Sequence, residues 1–273
     1  MSDYNKPIIV ISKCLGFDNC KHDGSIENNE FIEKLKKYVK VIPICPEIEC
    51  GLQIHHSKLR IVENNNKEEL LIPNEDLNLT QEMHDFSNKF LNKLTNVDGF
   101  ILKSKSPICA LKDAKVYDTL EKGCAIKREH GFFTKEIIKQ YPYIPIEDEH
   151  RLNNFKIREH FLSRIFILSD FRLIKKSFNF ESLKSFHLKN TLLFLSYSQK
   201  YSKLLDNLIY SDKIEDINIL FKEYEFYLNR LLEKAPRYTS NINVLMKSLE
   251  QFGDKISTEE LQFLWTTMKT CTI

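Results

Sequence analysis

Glycine is scarce in this chain, with only 7 among its 273 residues. No G-x-G-x-x-G or G-x-x-x-x-G-K-[ST] pattern occurs, which excludes the glycine loops that hold phosphates in dinucleotide-binding and P-loop proteins. No apolar run reaches the roughly 18–20 residues of a membrane-spanning helix. The opening segment, MSDYNKPIIVIS, lacks a basic region, a long apolar stretch and a small-residue cleavage site. We therefore expect no signal peptide and a cytoplasmic location.

An excess of charge of one sign is also absent. Lys and Arg number 40 against 38 Asp and Glu, a net charge of +2, which excludes a strongly basic chromatin-type protein. The two halves differ, because residues 1–150 carry a net −3 and residues 151–273 a net +5. A basic C-terminal half suits a polyanion such as RNA, and a solvated helical surface explains it equally well.

The first 150 residues alternate strand-like and helix-like segments. All-apolar or β-branched runs at 7–12, 39–45 and 99–109 predict strands buried on both faces, and 59–72 predicts a hairpin. Helical spacings lie between them, at 29–38 and in a segment that opens with Thr80 near an N-cap position. This order predicts an open, mostly parallel, Rossmann-like α/β sheet domain.

The second half predicts an α-helical bundle, so the fold class is α/β followed by all-α. Helical apolar spacings cover 151–172, 182–210 (one long helix or two) and 214–235, and Ser257 with Glu260 forms a capping-box pattern before a last helix. His187 is expected to be a packed or hydrogen-bonded helix residue. The Phe and Tyr stripes are expected to form bundle core before any base-stacking platform.

Cysteine occurs seven times, an odd number, and six of these residues lie in the first half. In a reducing cytoplasm such thiols more often serve metal binding or catalysis than disulfides. Cys14 follows the first predicted strand, Cys45 ends the second, and Cys109 follows the third. Because ligands of open α/β sheets bind beyond the carboxyl ends of the strands, these thiols are expected to meet at one rim.

Four segments of the first half resemble the thiouracil desulfidase family: SKCLG (12–16), CKHDG (20–24), CPEIECGL (45–52) and LKSKSPIC (102–109). In the second half, FHLKNTLLFLSYSQKYSKLL is similar to the helical domain that is fused to this domain in bacterial tRNA 4-thiouridine desulfidases. The resemblance implies an iron–sulfur desulfidase domain over residues 1–150. It also implies that residues 151–273 form a helical, tRNA-binding domain.

The resemblance further implies a [4Fe-4S] cluster on three cysteines, with a fourth iron open to the sulfur of a thiocarbonyl. Thiolates are the usual ligands of such clusters, and an open iron is a Lewis acid that suits a soft sulfur donor. We expect Cys14, Cys45 and Cys109 to hold the cluster, with Cys20 as the rival of Cys14. Structural zinc or simply buried thiols are the alternatives.

Some positions depart from the family pattern. They are Cys50-Gly51 in place of Gly-Gly, His55-His56 in place of Pro-Arg, and Ile108 and Ala110 on either side of Cys109. The three expected ligands, the glutamate after Cys45 and the Ser-Pro pair are all kept. The departures therefore bear on substrate contacts more than on cluster binding.

Three polar side chains near the cysteines are candidates for catalytic roles. Glu47, two residues after Cys45, would deprotonate the attacking water or protonate the leaving group, although a helix N-terminus also favours a glutamate there. Ser104 and Ser106 would orient water or bind the base, or else cap a turn. The Ser-Pro geometry favours Ser106 of the two.

The resemblance therefore implies a non-redox enzyme that hydrolyses the C–S bond of 4-thiouridine in tRNA to give uridine and hydrogen sulfide. One alternative is the same reaction on free thiouracil or a thionucleotide. The other is a metal-containing tRNA-binding protein without turnover.

Overall fold

The computed structural model describes residues 5–21, 23–53, 58–73, 75, 77–121, 123–211, 216–252, 257–260 and 262–263. His55-His56 and Cys271 lie outside these residues. The chain forms two compact units, Met1–Ser169 and Asp170–Ile273. Within the described ranges we find no helix with both the length and the apolar character to cross a membrane.

The first unit alternates strands and helices, as predicted. In chain order it contains β1 (Ile8–Ser12), α1 (Glu30–Leu35), β2 (Lys40–Ile44), α2 (Pro46–Glu49), β3 (Arg60–Asn64), β4 (Lys67–Ile72), β5 (Leu77–Asn78), α3 (Thr80–Lys93), β6 (Gly99–Leu102), β7 (Ala114–Tyr117), β8 (Lys127–Glu129), α4 (Phe132–Gln140) and β9 (Ile146–Asp148). A short 3-10 turn, Arg151–Asn153, and α5 (Phe155–Ser177) follow.

A parallel four-stranded sheet with the order β2-β1-β6-β9 forms the centre of this unit. Its middle strands are mostly apolar and buried, with Ile9, Val10 and Ile11 of β1 fully inaccessible, because helices and loops cover both faces. The chain order reverses between β1 and β6. Such a reversal opens a crevice at the carboxyl ends of the strands, where α/β proteins bind ligands.

The predicted hairpin is confirmed as β3 and β4, but it does not join the parallel sheet. It belongs to a second sheet with the order β5-β4-β3-β7-β8. Asn65 and Asn66 form its two-residue turn with φ values of 50° and 61°, which Asn tolerates better than other side chains. The single sheet that the sequence predicted is therefore divided into two.

Thr80 begins helix α3 next to the N-cap, as its predicted place near that position implies, but it does not cap the helix itself. Leu79 occupies the cap position of α3 without a side-chain hydrogen bond. The Thr80 hydroxyl instead accepts a hydrogen bond of 2.9 Å from the backbone N–H of Leu70 in β4. Tertiary pairing with the neighbouring strand thus outweighs the local capping preference.

Helix α5 contains the division between the two units, which falls after Ser169. Phe161 and Ile165 at its start pack in the same hydrophobic cluster as Ile9 and Ile101 of the parallel sheet. The start of α5 is therefore part of the first unit's core. The domain boundary predicted near residue 150 stays a prediction.

The second unit is helical, as predicted. Its remaining helices are α6 (Phe180–Tyr197), α7 (Gln199–Ile209), α8 (Ile217–Leu231) and α9 (Tyr238–Phe252). Ser198 separates α6 from α7 and caps the latter, which resolves the predicted 182–210 segment into two helices. The Ser257–Glu260 capping box is confirmed, because each residue's side chain bonds to the other's backbone N–H.

His187 is confirmed as a packed, hydrogen-bonded residue of α6. It is 1% exposed, and its ring nitrogens lie 3.0 Å from the Tyr224 hydroxyl and 2.8 Å from Asp206 Oδ1. Phe186 and Phe194 are buried beside it, which confirms the core role expected of these aromatics. This polar triad within an aromatic core ties α6, α7 and α8 together.

Candidate active site

A cavity of about 450 Å³ lies in the first unit at the carboxyl ends of β1, β2 and β6. Four cysteines line it: Cys14, Cys20, Cys45 and Cys109. Each belongs to the segment that follows a strand, or in the case of Cys45 to the cap of the short helix behind it. The three thiols singled out by their strand-end placement are thus brought together, and Cys20 joins them.

The Cys20 thiol interacts with two of the other thiols. The thiol of Cys20 is hydrogen-bonded to those of both Cys14 and Cys45, and Cys45 Sγ lies 3.8 Å from the Cys20 carbonyl oxygen. The contact with Cys14, together with burial, raises the pKa of Cys20 to about 12. The contact with Cys20, together with burial, raises the pKa of Cys45 even further. Both are protonated thiols until a metal displaces their protons.

Cys109 is the fourth thiol of the lining and is 6% exposed. Burial raises the pKa of its thiol, and hydrogen bonds with Ser12 and Ser106 oppose that shift. Ser106 Oγ also accepts the backbone N–H groups of Ile108 and Cys109, both at 3.1 Å. Ser106 therefore both shapes the loop and solvates the Cys109 sulfur.

Ser104, the other candidate serine, is hydrogen-bonded to a carboxylate, that of Glu149. It is 2% exposed, and its hydroxyl donates to Glu149 Oε1 at 2.6 Å while its backbone N–H donates to Glu149 Oε2 at 2.9 Å. Burial raises the pKa of Glu149, but the hydrogen bonds from Lys103 and Ser104 outweigh it and hold that pKa below its ordinary value. The hydroxyl and the backbone N–H of Ser104 therefore both donate to an ionised carboxylate.

Glu47 lines the cavity as the sequence predicted. Helix α2 begins with Pro46 directly after Cys45, and Glu47 lies in its first turn, where the helix N-terminus favours a carboxylate. Its charge also acts on Cys109, whose pKa it helps to raise. Glu47 is the one carboxylate among the described residues that line the cavity.

Much of the remaining cavity wall is basic. Seven cationic side chains line it: Lys13, Lys21, Lys58, Arg60, Lys103, Lys105 and Lys115. The guanidinium of Arg60 lies over the ring of Tyr117, 4.5 Å from its centroid. Arg60 also donates to the Glu121 carbonyl oxygen at 2.7 Å. The first 150 residues therefore contain a pocket rich in positive charge, although their net charge is −3.

Comparison with known proteins identifies the first unit. The family model described as 2-thiouracil desulfurase matches residues 9–149, slightly more than half of the chain. The chain belongs to the 2-thiouracil desulfurase family. The match begins in β1, ends at Glu149, and so encloses all four cavity cysteines.

A second family model, described only as a protein of unknown function (DUF1722), matches residues 191–272. No curated protein matches the chain. Among solved structures, the chain is similar to one described as a [4Fe-4S]-dependent thiouracil desulfidase, TudS. The match has 17% identity and a TM-score of 0.43, and it covers 54% of this chain and 94% of that one.

Two further described thiols of this 2-thiouracil desulfurase family member, Cys50 and Cys124, lie outside the cavity lining. Cys50 contacts the Glu82 carbonyl oxygen at 3.7 Å and the Met83 sulfur at 4.0 Å, and Cys124 is exposed. All six cysteines in the described part of the chain are free. The cavity thus holds a selected subset of thiols.

The donor set fits an iron–sulfur cluster. The described lining presents four thiols and one carboxylate, with no histidine among them, and thiolate is the usual ligand of such clusters. The thiols come from three separate segments of chain, and all four cysteines are buried. A cluster held here would be shielded from bulk water while one side faces the open pocket.

Sequence reasoning missed several residues of this site. Ser12, Lys103, Tyr117 and Glu149 carry no pattern by themselves, and only their partners in space reveal them. Ser12 and Lys103 do stand inside SKCLG and LKSKSPIC, so their neighbourhood gave a signal. Glu149 and Tyr117 gave none.

Proposed function

We propose that this protein removes sulfur from a thiolated uracil by means of a [4Fe-4S] cluster bound to Cys14, Cys45 and Cys109, and that its substrate is 4-thiouridine in tRNA. The observation that carries the proposal is the convergence of buried, free thiols on one cavity at the carboxyl edge of the parallel sheet. Membership of the 2-thiouracil desulfurase family supports the reaction class.

The reaction needs no net oxidation. Water adds its oxygen to the carbon that bears sulfur, the C–S bond breaks, and sulfur leaves with two protons as hydrogen sulfide. A cluster on three cysteines supplies one open iron, a Lewis acid for the thiocarbonyl sulfur. Glu47 is the carboxylate available in the described lining to take a proton from the attacking water and return it to the departing sulfur.

The serine hydroxyl groups near the thiols have different hydrogen-bond partners and therefore different roles. Ser12 and Ser106 hydrogen-bond Cys109, and hydrogen bonds to a thiolate ligand lower the charge that it passes to the metal. Ser104 is occupied by Glu149 and so belongs to the frame of the cavity. Of the two candidate serines, we therefore assign Ser106 to the reacting side.

The basic wall supports a substrate that carries phosphate. Lys58, Lys105 and Lys115 line the cavity, and no carboxylate among the described residues forms an ion pair with any of them. A thiouracil ring is neutral and gives these cations nothing to neutralise, whereas RNA or a thionucleotide does. The Arg60–Tyr117 pair adds an aromatic surface suited to stacking on a pyrimidine.

Free thiouracil is the second candidate, and the family description favours it. A third reading, a tRNA-binding protein whose thiols hold zinc, fits the same four cysteines. The substrate assay below separates the first two candidates, and the colour and metal content of the protein separate the third.

The experiment is anaerobic cluster reconstitution of the full chain, followed by measurement of sulfide released from thiolated tRNA, 4-thiouridine monophosphate and 4-thiouracil. We expect a brown protein with broad absorption near ~400 nm and the highest kcat/KM on tRNA. Highest activity on free 4-thiouracil would reassign the substrate. A colourless zinc protein without sulfide release would overturn the function.

A further inference from the structure

An ionic network built on a buried carboxylate joins the cysteine loops, outside the set of thiols. Glu149 directly follows β9, and its side chain is 1% exposed. The ammonium group of Lys103 is hydrogen-bonded to Glu149 Oε1. It also lies 3.2 Å from both Glu27 Oε2 and Ser104 Oγ, so each of its three N–H groups has an acceptor.

The members of this network come from different loops. Glu27 belongs to the segment between β1 and α1 that carries Cys14 and Cys20, and its backbone N–H donates to the Cys14 carbonyl oxygen at 2.8 Å. Lys103 opens the segment after β6 that carries Cys109, and its backbone N–H donates to Ser12 Oγ at 2.9 Å. The network therefore spans the two sides of the thiol cavity.

Burying such charges is costly, and apolar side chains of similar size often stabilise a fold as well. An ionic network instead fixes the relative positions of loops that are not otherwise held together. Three thiols that must hold one inorganic cluster need such geometry, since ligands displaced by about 1 Å bind poorly.

We propose that Glu149, Lys103 and Glu27 form a clamp that fixes the distance between the Cys14–Cys20 loop and the Cys109 loop. All three are positioning residues. Glu149 holds the ammonium group of Lys103 in place, and Glu27 connects that group to the loop that carries Cys14 and Cys20. The purpose of the clamp, a preorganised cluster site, rests on the proposed function. The geometry it sets exists without the cluster.

The test measures the alkylation rate of each cysteine in the reduced, cluster-free full chain, by mass spectrometry after timed exposure to iodoacetamide. Glu149→Gln keeps the size of the side chain but removes the charge that anchors Lys103. We expect alkylation of Cys14, Cys20 and Cys109 to become roughly tenfold faster. Cys50 and Cys124 should keep their wild-type rates, because they lie outside the clamped loops.

Glu27→Gln provides a second variant in which the buried Glu149–Lys103 pair remains. It should accelerate Cys14 and Cys20 by about threefold to tenfold and leave Cys109 unchanged. Glu63→Gln is the matched control, since the Glu63 side chain is exposed to an extent similar to that of Glu27 and pairs with Lys127 in the second sheet. It should change none of these rates.

Two outcomes would overturn the clamp: faster alkylation of Cys50 together with the cavity thiols in Glu149→Gln, which indicates general loosening, or unchanged Cys14 and Cys20 rates in Glu27→Gln. The clamp and the proposed function fail separately. A wild-type chain that never assembles a cluster yet shows the expected alkylation pattern would refute the function and leave the clamp standing.

Discussion

At the scale of single residues, the cavity gives each thiol a different environment. Cys14 lies two residues after the end of β1 and contacts Cys20, which in turn contacts Cys45. Cys109 stands apart and is bonded by hydroxyl groups. Thiols that share hydrogen bonds with one another are poor nucleophiles while protonated but become ready ligands once a metal displaces the protons. The arrangement therefore favours metal binding over covalent catalysis by cysteine.

The first prediction concerns which thiols are ligands. Ala at Cys14, Cys45 or Cys109 should abolish cluster assembly, because two thiolates leave the cluster incompletely held. Cys124→Ala and Cys271→Ala should retain full iron. The measurement is iron and sulfide per chain after anaerobic reconstitution, with thermal unfolding as the control for folding.

Cys20 supplies the decisive comparison within that series. If Cys14→Ala keeps its iron and Cys20→Ala loses it, then Cys20 is the first ligand and Cys14 is its buried neighbour. The contact between the two thiols makes this exchange of roles the most direct alternative.

The second prediction concerns Glu47. Glu47→Gln should hold iron normally but lower kcat by roughly 10²–10⁴, the usual contribution of a general acid–base group. The matched control is Glu49→Gln, an exposed glutamate in the same short helix, which should keep wild-type turnover. Wild-type sulfide release by Glu47→Gln would make Glu47 a structural residue of the helix N-terminus.

At the scale of elements, the N-terminus of α4 holds the Cys109 loop from behind. The backbone N–H groups of Gly131 and Phe132 donate to the carbonyl oxygens of Ala110 and Pro107 at 2.9 and 3.1 Å. Gly131 is required by close approach, since a Cβ there would collide with the Ile108 carbonyl group and lie 2.8 Å from the Cys109 nitrogen. The position of Cys109 thus depends on a glycine 22 residues later in the chain.

The third prediction follows from that contact. Gly131→Ala should push the Cys109 loop away from α4, lower stability by about 1–3 kcal/mol and reduce the iron content after reconstitution. Gly123→Ala is the control, because a Cβ at that position meets only the Glu121 carbonyl oxygen, at 4.0 Å. Normal iron content and stability in Gly131→Ala would show that the loop adjusts without cost.

At the scale of the whole molecule, charge and chemistry are distributed differently from the sequence-based expectation. The sequence placed the positive charge in the helical half, which has a net +5 from residue 151 onward. The structure adds a basic pocket in the half whose net charge is −3. Both units therefore offer cations to a phosphate-bearing substrate.

The fourth prediction assigns the tRNA-positioning role to the helical unit. Unstacking 4-thiouridine from a folded tRNA costs roughly a few kcal/mol, and contacts with the surrounding RNA would offset that cost. A chain ending at Ser169 retains Phe161 and Ile165 in the core of the first unit. It should keep its activity on 4-thiouracil and lose most of its activity on tRNA.

This comparison requires circular dichroism to establish that the shortened chain folds. In the full chain, tRNA binding should weaken steeply between low and physiological salt as counterions compete for the phosphates. Equal tRNA turnover by both chains at one salt concentration would assign the helical unit to packing or self-association instead.

The sequence by itself determined the classes of element and the rim at which they meet. β-Branched runs such as 8–12 form buried parallel strands wherever both faces are covered, and helical spacings beyond residue 151 admit no sheet. Because parallel strands point their carboxyl ends the same way, the placement of Cys14, Cys45 and Cys109 after three strands was enough to predict their convergence. The sequence analysis did not predict helix α9, because its polar start, YTSNIN, has weak helix propensity.

Only the tertiary structure decided which side chains face one another across that rim. Ser104 and Ser106 are two residues apart, yet one is bonded to Glu149 and the other to Cys109. Glu149 and Lys103 are 46 residues apart and form one buried pair. The hairpin belongs to the second sheet and not to the parallel one, and its Arg60 lines the cavity. Local pattern encodes neither choice, because long-range packing selects the partner of a polar group only after the elements are assembled.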